Sequence, residues 1–520
     1  MDTILVFDFG SQLAHLIARR VRDLGVFSEI VPYSINREQL DHFHPKGIIF
    51  SGGPSSVYEN DAPLPSADVW EYIKEHHIPL LGLCYGHHLI AQQYGGIVES
   101  REEKEFGKAI LNLSRRDFIF SKLNDEETVW MSHGDQVIQL PPGFKTFGST
   151  ETCPIAAMGN SDEKIYSFQF HAEVHHTMHG EQMFKNFLFQ ICQAVPSWKL
   201  GDWIDQSIEK IRSTVKNKHV ILGLSGGVDS SVVAMLLHRA IRDQVHLIFV
   251  NNGLLRKNEV EQVCGWFQDK LKFSNFHMVD AEDLFLDRLV DIIDPEEKRK
   301  IIGHTFIEVF EQKARQLESN FPNIEFLSQG TIYPDRVESQ KGTGGKTSSK
   351  IKSHHNLTLP ENMALKIIEP LKDLYKDEVR KVGKALGLPE ELIHRHPFPG
   401  PGLAVRCIGA ITRKKLEILR EADAIVIEEI TKAGLYHQVW QAFAVYLPVK
   451  SVGVMGDFRT FENICAVRIV ESIDAMTANF AKIDWNVLEN ISSRIINEVR
   501  GFNRVVYDIS NKPPSTIEFE

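Results

Sequence analysis

HVILGLSGGVDSSVVAMLLHRA, residues 219–240, reads as a buried strand that runs through a serine-glycine-glycine turn into an apolar helix. The helix carries Val232, Val233, Leu236 and Leu237 at the spacing of a packed face. Unpaired N–H groups at a helix start attract anions, and glycines let the backbone approach them, so phosphate belongs at this junction. Gly226 and Gly227 permit the approach, Ser225, Ser230 and Ser231 offer hydroxyls, and Asp229 is a candidate ligand for Mg²⁺ held against a pyrophosphate. An ordinary glycine-rich turn would not need so many donors.

Working outward, HLIFVNN (246–252), FHMVD (276–280) and IEFLSQG (324–330) are further apolar runs separated by helical stretches, the pattern of a parallel sheet. Upstream, runs at 4–7, 47–50, 78–83 and 165–170 alternate with helix-like segments and predict a second open α/β sheet. VPSWKLGD, 195–202, interrupts the periodicity with Pro and Gly. After RHPFPGPGL, 395–403, the pattern changes to apolar alternation with intervening helices. The expected division is therefore two parallel-sheet α/β domains, 1–197 and 198–395, followed by an α+β domain, 396–520.

Composition bounds the partners. A chain of 520 residues, 43% hydrophobic, has material for several cores. Its formal charge of −11 argues against nucleic acid or a membrane surface as partner, and a small polar substrate is expected instead. The six cysteines form no CxxC pair, which suits a reducing compartment. MDTILVFDFGSQ lacks the basic start of a signal peptide, and no apolar run approaches the roughly 20 residues of a membrane span, so a cytoplasmic location is expected.

IPLLGLCYGHHLIAQQYGG, 78–96, drives a second strand into a second helix, with Cys84 at the junction between Gly82 and Gly86. That is a nucleophile elbow with sulfur in place of oxygen. A lone cysteine is ordinarily structural, but here the helix N-terminus favours a thiolate. YSFQFHAEV, 166–174, offers His171 and Glu173, which period-two geometry on one strand would point to the same face as base and orienting carboxylate. Gly52 and Gly53 of GIIFSGGPSS follow a strand and can turn N–H groups toward an oxyanion. The histidines of HAEVHHTMH, 171–179, lack a companion cysteine or second carboxylate at zinc spacing and do not read as a metal site.

LCYG, the His-x-Glu pair and the SGGP loop resemble class I glutamine amidotransferases, which hydrolyse glutamine through a thioester and release ammonia. The resemblance implies a flavodoxin-like fold, the triad Cys84, His171 and Glu173, and an oxyanion hole at Gly53 and Tyr85. His87 and His88 stand where that family commonly has Met-Gln, and Ala172 where it commonly has Pro. LSGGVDSS resembles the signature of the ATP-pyrophosphatase superfamily, of adenine-nucleotide α-hydrolase-like fold, which adenylates a carbonyl or enol oxygen. It implies ATP at Ser225, Gly226, Gly227, Val228, Asp229, Ser230 and Ser231. The GGKT at 344–347 is not a Walker A loop, because Gln340 stands where its first glycine belongs.

GTIYPD, KSHHN, IIEPLKDLYKDEVR, RHPFPGPGLAVR, SVGVMGDFRTFE, INEVRGFNRVVYDIS and NKPPSTIEFE together resemble glutamine-hydrolysing GMP synthetases over essentially the whole chain. That family converts xanthosine monophosphate (XMP) to GMP, and the resemblance implies XMP, ATP and glutamine as substrates, Mg²⁺ with ATP, and a homodimer formed through the C-terminal domain. It implies nucleotide contacts at Arg256, Lys512 and Glu518. Asp335 and Glu338, with Lys352, His354 and His355, are expected to form a lid over the ATP site, supplying carboxylates and cationic donors. Two prolines and the apolar Ile517 and Phe519 predict a docked tail. The competing readings are another glutamine-dependent adenylating amidotransferase, such as an NAD synthetase, and a noncatalytic nucleotide sensor. The first would lack the PFPGPG and KPPSTIE segments, and intact Cys84, His171 and Asp229 argue against the second.

Overall fold

The computed structural model describes residues 1–11, 13–115, 117–336, 365–472 and 477–520, with the side chains of 102, 103 and 455 left out. The chain forms two compact units, 1–203 and 204–520. Among the described residues, no helix is long and apolar enough to cross a membrane.

The first unit is built on β1 (Thr3–Asp8), β2 (Phe27–Pro32), β3 (Gly47–Phe50), β4 (Leu80–Leu83), β5 (Ile97–Leu113), β6 (Glu126–Gln139), β7 (Lys145–Ser149), β8 (Ala157–Asn160) and β9 (Ile165–Phe168). They join in the order β2-β1-β3-β4-β9-β8-β7-β5-β6. The first five strands of that order are parallel, and the pairings from β9 through β8, β7, β5 and β6 are antiparallel. Strands β1, β3 and β4 are buried at every residue, as strands covered on both faces must be. The helix Ala14–Asp23 lays Ala14, Ile17, Ala18 and Val21 inward at helical spacing.

One detail corrects the sequence reading. Strand β9 ends at Phe168, and His171 and Glu173 lie in the turn beyond it, so strand alternation is not what faces them together. The backbone leaves the sheet because Gln169 N–H bonds Ala156 O and His171 N–H bonds Trp130 O, partners outside β4.

The second unit opens with β10 (His219–Gly223), β11 (Val245–Asn251), β12 (Phe276–Asp280), β13 (Ile324–Ser328) and β14 (Lys366–Ile368), all parallel, in the order β12-β11-β10-β13-β14. The order reverses at β10, and a crevice outside the strand ends opens at such a switch point. The loop 224–227 leaves β10 there. A second sheet follows: β15 (Gln441–Met455) and β16 (Phe458–Glu471) form a long hairpin, β17 (Asn479–Phe480) pairs antiparallel and β18 (Phe502–Tyr507) parallel with β16.

The helices Arg413–Lys432 and Trp485–Glu498 add Leu416, Leu419, Val426, Ile491 and Ile495 to a core that also holds Ile221, Ile248 and Leu254. Residues 396–520 thus have their own sheet, yet share one continuous core with the nucleotide-type sheet.

The elbow leaves no room for a side chain at its two glycines. Cys84 adopts φ 53° and ψ −103° between β4 and the helix Tyr85–Gln93. A Cβ at Gly82 would lie 2.5 Å from Gly86 O, and one at Gly86 would lie 2.6 Å from Phe50 O. Backbone cannot retreat from either. Gly86→Ala is expected to destabilise the fold by about 1–3 kcal/mol, the usual cost of overpacking. A lowered urea midpoint for the transition of this unit checks it, and an unchanged midpoint would show that the junction has slack.

Candidate functional site

The helix that begins at Tyr85 leaves the Tyr85 N–H without an intrahelical acceptor, while Gly86 N–H is taken by Ser51 O at 3.1 Å. The Ser51-Gly52-Gly53 turn after β3 is pressed against this end. A Cβ at Gly52 would lie 3.2 Å from His171 Cε1 and 3.6 Å from Cys84 Cβ, and one at Gly53 would lie 3.3 Å from Tyr85 Cδ1. The candidate oxyanion loop, the sulfur and the imidazole therefore share one small volume. Cys84 Sγ also lies 3.7 Å from Ser132 O.

His171 donates from Nδ1 to Glu173 Oε1 at 2.8 Å. Thr177 Oγ1 donates to His171 O at 2.6 Å and accepts from Trp130 N–H, and Arg20 Nε donates to Glu173 O at 3.0 Å. These bonds do the orienting that the strand was expected to do. Burial alone would discharge the imidazole, but the charge of Glu173 and hydrogen bonds with Cys84 and Glu173 outweigh it and hold the His171 pKa well above its ordinary value. A raised folded pKa stabilises the fold fully below about pH 6.5, the unfolded value, and that contribution is lost as pH rises through the folded one.

His87 and His88 are buried and satisfied. His87 reaches Ser167 Oγ at 2.8 Å and Ile155 O at 3.1 Å, and His88 Nε2 reaches Gln169 Oε1 at 2.8 Å. Burial pushes His87 well below its ordinary pKa and His88 down to about 4, so both are neutral at pH 7. They tie the elbow helix to the segment that leads into His171. Of the remaining histidines of 171–179, His176 packs 4.4 Å from the Trp130 ring and His179 bonds Glu127 at 2.6 Å.

In the second unit the loop after β10 is held by its own hydroxyls. Ser230 Oγ accepts from Ser225 N–H at 3.2 Å, Ser225 Oγ accepts from Gly227 N–H at 3.2 Å, and Ser231 Oγ donates to Gly227 O at 2.7 Å. Gly226 sits at φ 72°, a conformation that favours glycine. Val228 and Asp229 open the helix Val228–Ile241. Asp229 Oδ2 is ion-paired with Lys376, whereas Oδ1 is buried without a hydrogen-bond partner among the described residues. Arg395 Nη1 donates to Gly226 O at 2.9 Å.

Arg256 and Glu518 fall in one buried cluster. Arg256 lies 3.2 Å from Asp423, and Arg406, fully buried, takes Glu518 in a fork of 2.8 and 3.0 Å and lies 3.8 Å from Asp423. Phe398 lies 5.0 Å from the Arg256 guanidinium and 5.1 Å from that of Arg406. Burial pulls the Arg256 pKa down and Asp423 opposes the fall. Gln441 Nε2 donates to Glu518 Oε1 at 3.0 Å. Ile517 is buried, Phe519 is half exposed, and Glu520 reaches the fully buried Lys298. Lys512 is set by its backbone, N–H to Ala478 O at 2.7 Å.

Asp335 accepts from Ile332 N–H at 3.1 Å and so caps its own turn, and Arg336 donates to Asp373 at 2.8 Å. Glu338, Lys352, His354 and His355 lie outside the described residues, as does the GGKT segment. Sequence reasoning missed Lys376, Arg395, Glu259, Arg406, Asp423 and Gln441. Arg395 and Arg406, which flank the PFPGPG segment, and Lys376, within IIEPLKDLYKDEVR, had a signal in the quoted segments.

Three family models match: glutamine amidotransferase class-I over residues 5–191, NAD synthase over 199–292, and GMP synthase C terminal domain over 428–519. A GMP synthase [glutamine-hydrolyzing] of Aquifex aeolicus is 54% identical over 520 residues, covering 99% of each chain. The protein of that name from Brachyspira hyodysenteriae is 52% identical, covering 100% of this chain and 99% of its own. A solved glutamine amidotransferase from Thermotoga maritima is 16% identical over 37% of this chain and 99% of its own, with a TM-score of 0.32.

Glu173→Gln removes the charge that holds up the His171 pKa and leaves burial unopposed. The imidazole is expected to lose its proton at neutral pH, and alkylation of Cys84 by iodoacetamide at pH 7 to slow by about 10-fold or more as the positive charge beside it is lost. NMR titration of His171 checks the cause. An unshifted His171 would contradict it.

Proposed function

The chain belongs to the glutamine-hydrolysing GMP synthases, and from that premise we propose how its own residues divide the work. It is an ATP-using ligase of GMP biosynthesis with glutamine as nitrogen donor. In our reading, residues 1–197 release ammonia, 198–395 activate the acceptor, and 396–520 complete the nucleotide site and pair two copies.

Cys84 Sγ attacks the side-chain carbonyl of glutamine, and the N–H groups of Gly53 and Tyr85 receive the developing oxyanion. His171, oriented by Glu173, protonates the departing nitrogen, which leaves as ammonia. It then takes a proton from the water that hydrolyses the thioester, and glutamate is released. The bond from His171 to Glu173, with His171 and Cys84 both packed against Gly52, is the observation that carries this assignment.

The 224–231 loop receives ATP. The C2 oxygen of XMP attacks the α-phosphorus, the bond to the bridging oxygen breaks, and pyrophosphate departs. Ammonia then attacks C2 and AMP leaves, giving GMP. Adenylation suits a neutral amine because it converts a poor leaving oxygen into AMP. Backbone N–H groups at the start of the helix Val228–Ile241 and the ammonium of Lys376 favour the phosphates. Asp229, with Oδ1 buried and without a hydrogen bond among the described residues, fits a Mg²⁺ ligand. The ion, when bound with ATP, neutralises charge on the pyrophosphate. Arg256 and Lys512 are assigned to the 5′-phosphate of XMP, and Glu518 to its ribose or base. Asp335, Glu338, Lys352, His354 and His355 are assigned to the lid.

The homodimer reading is supported by the outer half of the β15–β16 hairpin. Val452 faces Phe461 across it, and Val452, Val454 and Phe461, which share one face by strand alternation, are 60%, 72% and 61% exposed. A second copy would cover that apolar face. We assign the protein to the cytoplasm from its six dispersed cysteines, and read neither nucleic acid nor membrane as partner from the acidic charge balance.

Cys84→Ala is expected to lower glutamine-dependent GMP formation by about 10³-fold or more, while ammonium-dependent formation stays within about 3-fold. Asp229→Asn is expected to lower both. Loss of the ammonium reaction in Cys84→Ala would sink the two-site reading.

A further inference from the structure

Glu259 is a buried carboxylate that the mechanism above does not use. It is 2% exposed and begins the helix Glu259–Cys264. Its two oxygens have different partners. Oε1 is ion-paired with Arg395, whose other nitrogen donates to Gly226 O of the phosphate loop at 2.9 Å. Oε2 accepts the backbone N–H of Arg256 at 2.9 Å. A single carboxylate thus joins the backbone of the ATP loop, through one guanidinium, to the backbone of the residue assigned to the acceptor nucleotide.

The segment that carries Arg395 makes a second connection. Three residues on, Phe398 lies against the guanidinium groups of both Arg256 and Arg406. The same segment is pinned at Gly402, φ 62°, where a Cβ would lie 2.4 Å from Leu254 O, and Leu403 N–H bonds Leu254 O at 2.8 Å. Proline at 397, 399 and 401 stiffens it. At the loop end there is equally little slack, since a Cβ at Gly226 would lie 3.0 Å from Val263 Cγ2 and 3.3 Å from Arg395 Nη1.

We propose that Arg395 and Glu259 are positioning residues that hold the phosphate loop and Arg256 as one unit, so that each nucleotide binds more tightly when the other is present. The proposal rests on the assignment of 224–231 to ATP and of Arg256 to the acceptor. Its physical basis is that a buried carboxylate cannot exchange its partners for water at low cost, so Arg395 and Arg256 must move with Glu259. A shift of the Gly226 carbonyl when phosphates enter is then felt at Arg256, and the effect is reciprocal.

The test uses the full chain and isothermal calorimetry, with XMP titrated in the presence and absence of α,β-methylene ATP and Mg²⁺. The wild type is expected to bind XMP about 5- to 150-fold more tightly with the analogue, the usual range of such coupling. Arg395→Ala and Glu259→Gln are expected to reduce that ratio to within about 2-fold. Arg395→Lys is expected to retain an intermediate ratio, because one ammonium replaces the fork without its fixed geometry. Thermal unfolding of each variant identifies any that fail to fold, and Arg395→Lys decides the matter if Arg395→Ala is among them.

A purely structural ion pair predicts folded variants with the wild-type ratio, and that result overturns the proposal. So does a wild-type ratio of one. Failure of wild type to bind XMP or the analogue at all would overturn the site assignments themselves, whereas binding of both with unchanged ratios overturns only the coupling.

Discussion

Everything chemical in this protein depends on strands that turn into helices where there is no room for a side chain. At the elbow, Gly82 and Gly86 face each other and Phe50 O across distances that would exclude a methyl group. At the phosphate loop, Gly226 takes a positive φ against Val263. In both places the backbone leaves the sheet abruptly and a helix follows, after one residue at the elbow and after four at 224–227. One junction places a sulfur at a helix start, and the other places the loop to which we assign the phosphates of ATP. Shared local physics therefore serves two unrelated reactions.

The second theme is charge buried in pairs. Glu173 is fully buried and makes His171 a stronger base, and the Arg406–Glu518 fork and the Lys298–Glu520 pair draw the last residues of the chain into the second unit. Removing one member of such a pair strands the other. This explains why so polar a tail is ordered: Glu518 and Glu520 are counter-ions for cations that have no water. The tail thereby completes the walls of the Arg256 cluster, although Phe519 beside it stays half exposed.

Much of this was legible in the residues. A strand, a glycine, a reactive residue and a helix leave a local signature, so the elbow and the phosphate loop could be placed from short motifs, and the alternation of apolar runs announced parallel sheets. Long-range partners leave none. Lys376 meets Asp229 across 147 positions and Arg395 meets Gly226 across 169, and no periodicity predicts either meeting. The end of β9 was missed because YSFQFHAEV alternates like a strand past Phe168, while the backbone bonds that turn it away come from Ala156 and Trp130. Likewise the change of rhythm after 403 marked a new sheet but hid the fact that Leu416 and Ile491 share a core with Ile221. His87 and His88 departed from the family motif, and only their bonds to Ser167 and Gln169 explain how two imidazoles fit there.

In our reading the loop at 224–231 holds ATP for cleavage between its α and β phosphates, which activates the acceptor oxygen. That activation is tested most directly by supplying XMP labelled with ¹⁸O at C2, together with ATP, Mg²⁺ and ammonium, and analysing the products by mass spectrometry. The label is expected to leave the base and appear in the phosphate of AMP. Label in inorganic phosphate or pyrophosphate, or retained on the nucleobase while GMP accumulates, would contradict it.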